Sequence, residues 1–416
     1  MIRSVDSGDR GCGVAREAGR ERLVTPAFLL IAFATLGYFI AEGALLPSVP
    51  LYVKGPLGGG EAVVGLVVGA FSVSALLLRP LIGRLADLRG RRTVMLIGAA
   101  LFGLSVAGYI LSETVWLLIV MRLATGAGAA FFFVGAATAI NDLAPEGRRG
   151  EAVSFFSLAL YAGIGIGPLI GEALLGESPV RAGDFTPVWL LTSGAAAMAL
   201  VLSLRVPETR PAVRDHGRLR LVHPAAILPG SVILAAIMGM AGFFAFTPLY
   251  TRARDLGDSR FVFLTFSIVV ILIRGFGARL PDKLGPGRAA RAALAISAAG
   301  LLTIGAWPGN AGLFGGTIVL GVGSALAFPA LMTLAVSSAP PGERGAAIGT
   351  FTAFVDLAFG LGPVSLGVVA DVAGLRAVYF AAAIVALTGL ALLLLRGQRQ
   401  RRRARAPETP IPEVPF

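Results

Sequence analysis

The sequence predicts an all-α polytopic membrane protein, with twelve transmembrane helices in two pseudo-symmetric six-helix bundles. Three observations predict it: long unbroken apolar runs, basic residues gathered between those runs, and an internal repeat at a fixed offset. Of the 416 residues, 56% are apolar and 14% are charged, whereas soluble domains carry about 25% charged residues. The mean hydropathy of +0.80 fits a membrane solvent rather than water. Inside lipid the backbone must satisfy its own hydrogen bonds, which leaves helices or closed barrels. Barrel strands would alternate apolar and polar residues over about ten positions. The runs here last roughly twenty, the length that spans a hydrocarbon core.

Taken in order, the apolar runs are 26–50, 62–82, 93–112, 115–140, 151–175 and 187–206, then 226–250, 260–280, 289–306, 311–335, 345–371 and 376–395. Residues 1–25 lead in. Their first 22 hold no apolar core, so a disordered cytoplasmic segment is expected there rather than a signal peptide. Helices from 26–206 form the first bundle and those from 224–395 the second. The stretch 207–223, charged and bearing proline, reads as a cytoplasmic linker. The tail 396–416 is polar and arginine-rich, so disorder is expected.

Orientation follows from the basic residues. With the N-terminus inside, the cytoplasmic segments hold 27 Lys and Arg and the outer loops hold six, while Arg79, Arg122 and Arg274 fall within spans. Such a bias places both termini in the cytoplasm of a cell that inserts the protein in its inner membrane. It also accounts for the net charge of +12 without a nucleic-acid partner. A single cysteine, Cys12, excludes an internal disulfide and a cysteine metal cage. Both histidines, His216 and His223, fall in the linker, which leaves no histidine relay in the spans. No metal site and no cofactor are expected.

The two halves match at an offset of 195. Arg79 falls on Arg274, Asp87 on Asp282, Gly90 on Gly285, Arg149-Gly150 on Arg344-Gly345, and Gly167-Pro168 on Gly362-Pro363. Pro50-Leu51-Tyr52 and Pro248-Leu249-Tyr250 echo each other at 198. Duplicated halves of this kind are related by an axis along the membrane normal and bind substrate between them, near the midplane.

The most specific stretch is RPLIGRLADLRGRR at 79–92, between the second and third spans. Gly83 allows close helix approach, Gly90 permits a tight reversal, and Asp87 is the one acid among the four arginines between Gly83 and Arg92. This pattern resembles the signature loop of the major facilitator superfamily, in which it latches the halves in the outward-facing state. The resemblance assigns gating to Gly83, Arg84, Asp87, Gly90 and Arg91, and to Asp282 in the weaker second copy. Span 4 carries Arg122 in Arg-Leu-Ala-Thr-Gly-Ala-Gly, similar to a second family motif whose arginine serves proton transfer or substrate charge. Span 5 carries Gly163, Gly165, Gly167, Pro168 and Gly171, resembling the motif of the twelve-helix drug:proton antiporters. Here Glu172 and Ser154 stand where that motif has glycine.

Two acids lie deep in spans, Glu42 and Asp356. An ionised acid in lipid is costly, so each must face a cavity, find a partner or carry a proton. Glu42 is the first candidate for proton coupling and Asp356 the second, with Arg122 as countercharge to either. Glu172, near the outer end of its span, is expected to be solvated. Spans 1, 4, 7 and 11 line the cavity in the resembled family and here carry many aromatics. Tyr38, Phe132 and Phe243 are the expected substrate contacts, suiting lipophilic or cationic compounds.

An enzyme would need a nucleophile with its base, a metal cluster or a phosphate loop, and the spans offer none of these. No Gly-x-x-x-x-Gly-Lys-Ser/Thr loop is present, so a gradient rather than ATP must supply the energy. The expected function is a proton-coupled exporter of small lipophilic or cationic compounds, working as a monomer in the lipid bilayer by alternating access. The alternative is a proton-coupled importer of a nutrient or metabolite on the same fold.

Overall fold

The computed structural model describes residues 23–145, 148–176, 181–209, 222–276, 284–340 and 343–405. Among them run twelve long helices: α1 (Pro26–Lys54), α2 (Glu61–Arg89), α3 (Arg91–Ala107), α4 (Val115–Asp142), α5 (Arg149–Leu175) and α6 (Thr186–Leu204), then α7 (Pro224–Ala253), α8 (Arg260–Phe276), α9 (Pro286–Ala306), α10 (Asn310–Ser337), α11 (Arg344–Ala373) and α12 (Leu375–Arg405). No strand occurs among these residues. Eleven of the helices are long and apolar enough to cross a membrane. The other, α8, is equally apolar over its 17 residues, and its expected continuation toward 280 lies outside the described residues. The protein is therefore a multi-pass membrane protein.

Local chemistry sets the helix starts. Thr25 caps α1 by accepting from the Phe28 amide at 3.2 Å, and Pro26 follows at the first helical position, where a missing N–H costs nothing. Thr114 caps α4 in the same way through the Leu117 amide at 3.3 Å. Gly90 and Gly285 precede α3 and α9 with φ of +100° and +79°, a region closed to most side chains.

The repeat is physical. An offset of 195 carries Val115–Asp142 onto Asn310–Ser337, and carries Arg91 and Arg149, which open α3 and α5, onto Pro286 and Arg344, which open α9 and α11. The first helix follows the other offset: Pro26 moved by 198 is Pro224, the start of α7. Packing repeats as well. In the first half α1 packs on α5 and α6, α3 on α4 and α6, and α2 on α4. In the second, α7 packs on α11 and α12, α9 on α10 and α12, and α8 on α10. The halves meet along two equivalent seams, α2 against α11 and α5 against α8, with α1 and α7 touching between them. Twelve crossings return the chain to the face from which it started, here the near face; the opposite one is the far face.

The expected disorder from Arg396 is corrected as far as Arg405, because α12 continues through that stretch as one helix. Arginine and glutamine are good helix formers, and a span that is already helical removes the nucleation cost. The lead-in 1–22, most of the linker (210–221), Asp282 and the tail from 406 lie outside the described residues.

Candidate functional site

A pocket of about 580 Å3, counting its open mouth, lies between the halves. Its wall takes Glu42 from α1, Phe71 and Ser72 from α2, Arg122 from α4, Phe244 from α7, and Phe359 and Pro363 from α11. Most of this wall is apolar. Glu42 is half-buried at its edge, and among the described residues its carboxyl forms no hydrogen bond or ion pair. The cation whose field reaches it is Arg122. Arg122 is itself 7% exposed and braced against α2: Nε donates to the Val67 carbonyl at 3.3 Å, Nη2 donates to the Val68 carbonyl at 3.4 Å, and the guanidinium stands 4.9 Å from the Phe71 ring centre. An acid and an arginine thus share one largely apolar pocket.

The aromatic residues expected at the substrate sit elsewhere. Tyr38 stacks on Phe132, ring centres 4.1 Å apart and nearly parallel, and both are fully buried. Phe243 is likewise fully buried, against Phe263 and Phe266 of α8. In this conformation all three belong to the packed core, and the pocket wall takes Phe71, Phe244 and Phe359 instead.

Asp356 meets not Arg122 but Arg79, across the α2–α11 seam. Nη2 donates to Oδ1 at 2.6 Å; Nε stands 2.6 Å from Oδ2 with its N–H off line, an ion contact rather than a hydrogen bond. Side-chain exposure is 24% for Arg79 and 10% for Asp356. The equivalent place on the other seam holds a different joint. An offset of 195 carries Arg79 to Arg274 and Tyr161 to Asp356, and the Arg274 guanidinium lies 4.8 Å from the Tyr161 ring centre. One seam therefore carries an ion pair where its twin carries a cation–π contact.

The α2–α11 seam is tight on the far side and open on the near side. Gly65, Gly69, Ser72, Arg79 and Gly83 share one face of α2, with spacings of four, three, seven and four. A Cβ added to Gly65 would overlap the Pro363 carbonyl, and one added to Gly69 would stand 2.6 Å from the Gly360 carbonyl. At Gly83, on the same face, nothing lies within 4 Å, and the same holds for Gly349 toward the near end of α11. The long Arg79 side chain reaches across the widening gap to Asp356.

The near-face loop is held within the first half. Arg91 bonds Asp87 at 2.6 Å and Asp142 at 3.0 Å. Glu208, just after α6, accepts from the Arg91 amide at 2.6 Å, taking up an orphan donor at the start of α3. Its carboxyl fills the space a Cβ on Gly90 would need. Asp87 is 60% exposed and Arg84 is exposed. Neither Glu208 nor Asp142 was singled out by the sequence reading, because an acid closing a loop from a distant helix end leaves no local spacing.

On α5, Gly163, Gly167 and Gly171 pack against the backbone of α1: added Cβ atoms would stand 2.6 Å from Phe39 C, 2.5 Å from Ile40 O and 2.9 Å from Ala44 O. Pro168 sits within this helix. Glu172 is a correction. It is 5% exposed rather than solvated, and it accepts from the Ser259 hydroxyl at 2.5 Å and the Arg260 amide at 2.7 Å, both in the second half.

This architecture has clear relatives. The family model described as Major Facilitator Superfamily matches residues 31–290 and 232–415. The uncharacterized MFS-type transporter STM4428 of Salmonella typhimurium is 32% identical over 372 residues, covering 86% of this chain and 94% of its own. The uncharacterized MFS-type transporter MJ1560 of Methanocaldococcus jannaschii is 26% identical over 380 residues, covering 89% and 98%. Among solved structures, the nucleoside transporter NupG superposes with a TM-score of 0.74 at 13% identity, over 89% of this chain and 99% of its own. The human organic anion transporter MFSD10 does so with 0.67 at 22%, over 89% and 100%. The chain belongs to the major facilitator superfamily; it is a transporter of small molecules and not an enzyme.

Proposed function

We propose that the protein is a proton-coupled exporter, an antiporter, of small lipophilic or cationic compounds. The carrying observation is Glu42, an acid without a hydrogen-bonded partner in an apolar, aromatic pocket built from both halves. Such a group can hold a proton or the charge of a cationic ligand, but not both, and that exclusion is the logic of antiport. Arg122 limits how readily the pocket accepts a second positive charge. Asp356, paired with Arg79, is the second coupling acid, since protonation would release the pair. The near face, with both termini, is cytoplasmic in the inner membrane, so the conformation described faces inward. The loop residues Gly83, Arg84, Asp87, Gly90 and Arg91, with Asp282, form the latch that closes when the halves rock outward. The working unit is the monomer.

The test uses everted membrane vesicles, acidified inside by respiration and read with a pH-quenched dye. A panel of lipophilic cations, neutral drugs and sugars is added to the parent and to Glu42→Gln. Proton release by a lipophilic cation through the parent and not the variant is the expected result. If no compound moves protons, while uptake of a nutrient into whole cells depends on the gradient, the export reading is wrong.

A further inference from the structure

Glu172 ends α5 at the far face, and its two bonds cross the seam to the first turn of α8. Amides at a helix start have no acceptor of their own, and that end carries partial positive charge. A buried carboxylate placed there takes two charge-assisted hydrogen bonds. Arg260, which opens α8, turns its guanidinium to Asp258 at 2.9 Å, so its backbone amide is what Glu172 receives.

The other seam has a counterpart. Asp371, in the last turn of α11, lies against the first turn of α2: its Oδ1 is 2.9 Å from where a Cβ on Gly60 would stand, beside the Glu61 side chain. Glu61 also bonds Lys54 at 2.7 Å. An offset of 199 carries Glu172 to Asp371, Gly60 to Ser259 and Glu61 to Arg260. Both seams thus close at the far face with an acid of one half set on a helix start of the other. Only the α5–α8 copy is buried and doubly bonded to its target.

We propose that Glu172, with Asp371 as its weaker partner, is the far-face gate residue of the transport cycle. It holds shut the seam through which the central pocket must open outward. Opening separates α5 from α8, and water then takes the place of Ser259 and Arg260 on the carboxylate. Glycines below the gate, Gly65 and Gly69 on one seam and Gly165 on the other, let the backbones close, but they supply no bond that must break. The assignment rests on the alternating-access reading above and on its orientation.

The experiment reads access by thiol labelling. Cys12, the one cysteine of the chain, is replaced by serine, and single cysteines are placed at Ser72 in the pocket wall and at Gly349 in the near-side gap. A membrane-impermeant methanethiosulfonate reagent is applied outside intact cells and, separately, to everted vesicles. Glu172→Ala should raise the outside rate at S72C by about fivefold or more, the low end of a functional coupling, and lower the vesicle rate at G349C. Glu172→Gln, which keeps one acceptor oxygen, should fall between parent and alanine, and Asp371→Ala should have the smaller effect. An unchanged S72C rate overturns the proposal. So does a rise at both positions together, which would mean general loosening. Labelling of G349C from outside in the parent would sink the orientation instead; the gate stands or falls on the change between parent and E172A.

Discussion

A single methyl group should move the balance between the two conformations, in a direction set by where it is placed. At Gly69 an added Cβ stands 2.6 Å from the Gly360 carbonyl and 2.8 Å from Val364 Cγ2. Ordinary contact begins at 3.4 Å, so the shortfall at the carbonyl is 0.8 Å. That neighbour is backbone in the opposite half, and relief requires α2 and α11 to separate on the far side. Overpacking of this kind costs about 1–3 kcal/mol, a shift of about 5- to 150-fold in a two-state ratio. Gly83 shares the same face of α2 but has nothing within 4 Å. A methyl there costs nothing in this conformation and meets α11 only when the near side closes. Gly69→Ala should therefore favour the far-open state, and Gly83→Ala should leave the balance unchanged or strengthen the present one. Spin labels on exposed near-side positions, Arg89 and Ser338, and on exposed far-side positions, Glu113 and Trp307, report the two openings by double electron–electron resonance. With Gly69→Ala the near pair should shorten and the far pair lengthen. Unchanged distances, or the same change from Gly83→Ala, would refute the splayed-seam geometry.

Other outcomes follow from the joints. Asp356→Ala strands a partly buried Arg79 and should cost about 3–5 kcal/mol; the double variant with Arg79→Ala should recover at least about 1 kcal/mol of that, as contacting pairs do in a mutant cycle, measured by unfolding in mixed micelles with rising SDS. Strict additivity would mean the pair is not a joint. Tyr161→Ala should lose about 0.5–2 kcal/mol of cation–π attraction with Arg274, while Tyr161→Phe should lose little; equal losses would point to the hydroxyl instead. Glu208→Ala removes the acceptor at the start of α3 and should cost about 0.5–2 kcal/mol. Gly90→Ala should cost more, since it fights both a φ of +100° and the Glu208 carboxyl, and a milder effect than E208A in the same unfolding titration would contradict that packing.

Much of the scaffold was legible because lipid leaves the backbone few choices. The run 115–140 became Val115–Asp142 and 311–335 became Asn310–Ser337. Offset matching of arginines, glycines and prolines anticipated the packing repeat. What the sequence hid was azimuth. A span that is apolar all round carries no stripe to say which face meets a pocket, so Phe132 and Phe243 could not be told from Phe244 and Phe359. Pairing across the halves was hidden for the same reason: Arg79 and Asp356 are 277 positions apart, and both stood out only as charges within spans. Glu172 was misread because nearness to a helix end suggests water, whereas here the end of α5 is covered by the start of α8.

The duplicated halves keep their backbone symmetry and break their chemical symmetry, and the pattern of the breaks bears on coupling. At the middle level the α2–α11 seam holds a titratable joint, Asp356 with Arg79, while its twin holds Tyr161 with Arg274, which no ordinary proton transfer would undo. At the far level the stronger acid joint lies on the opposite seam, Glu172 on α8. Had both middle joints been ion pairs, loosening the middle of the two seams would require two protonations, and losing one would leave the other holding. With a single ion pair, the proposed reading needs one proton at Asp356 to free one seam, with the Arg274–Tyr161 contact keeping the other in register as a pivot. Glu42, without a hydrogen-bonded partner and within the field of Arg122, is on the proposed reading the acid whose proton competes with ligand rather than with a neighbouring helix. On the proposed reading, binding chemistry and conformational chemistry are thereby assigned to different carboxylates, so that a substitution at Glu42 should abolish exchange without changing which face is open, whereas one at Asp356 should change which face is open.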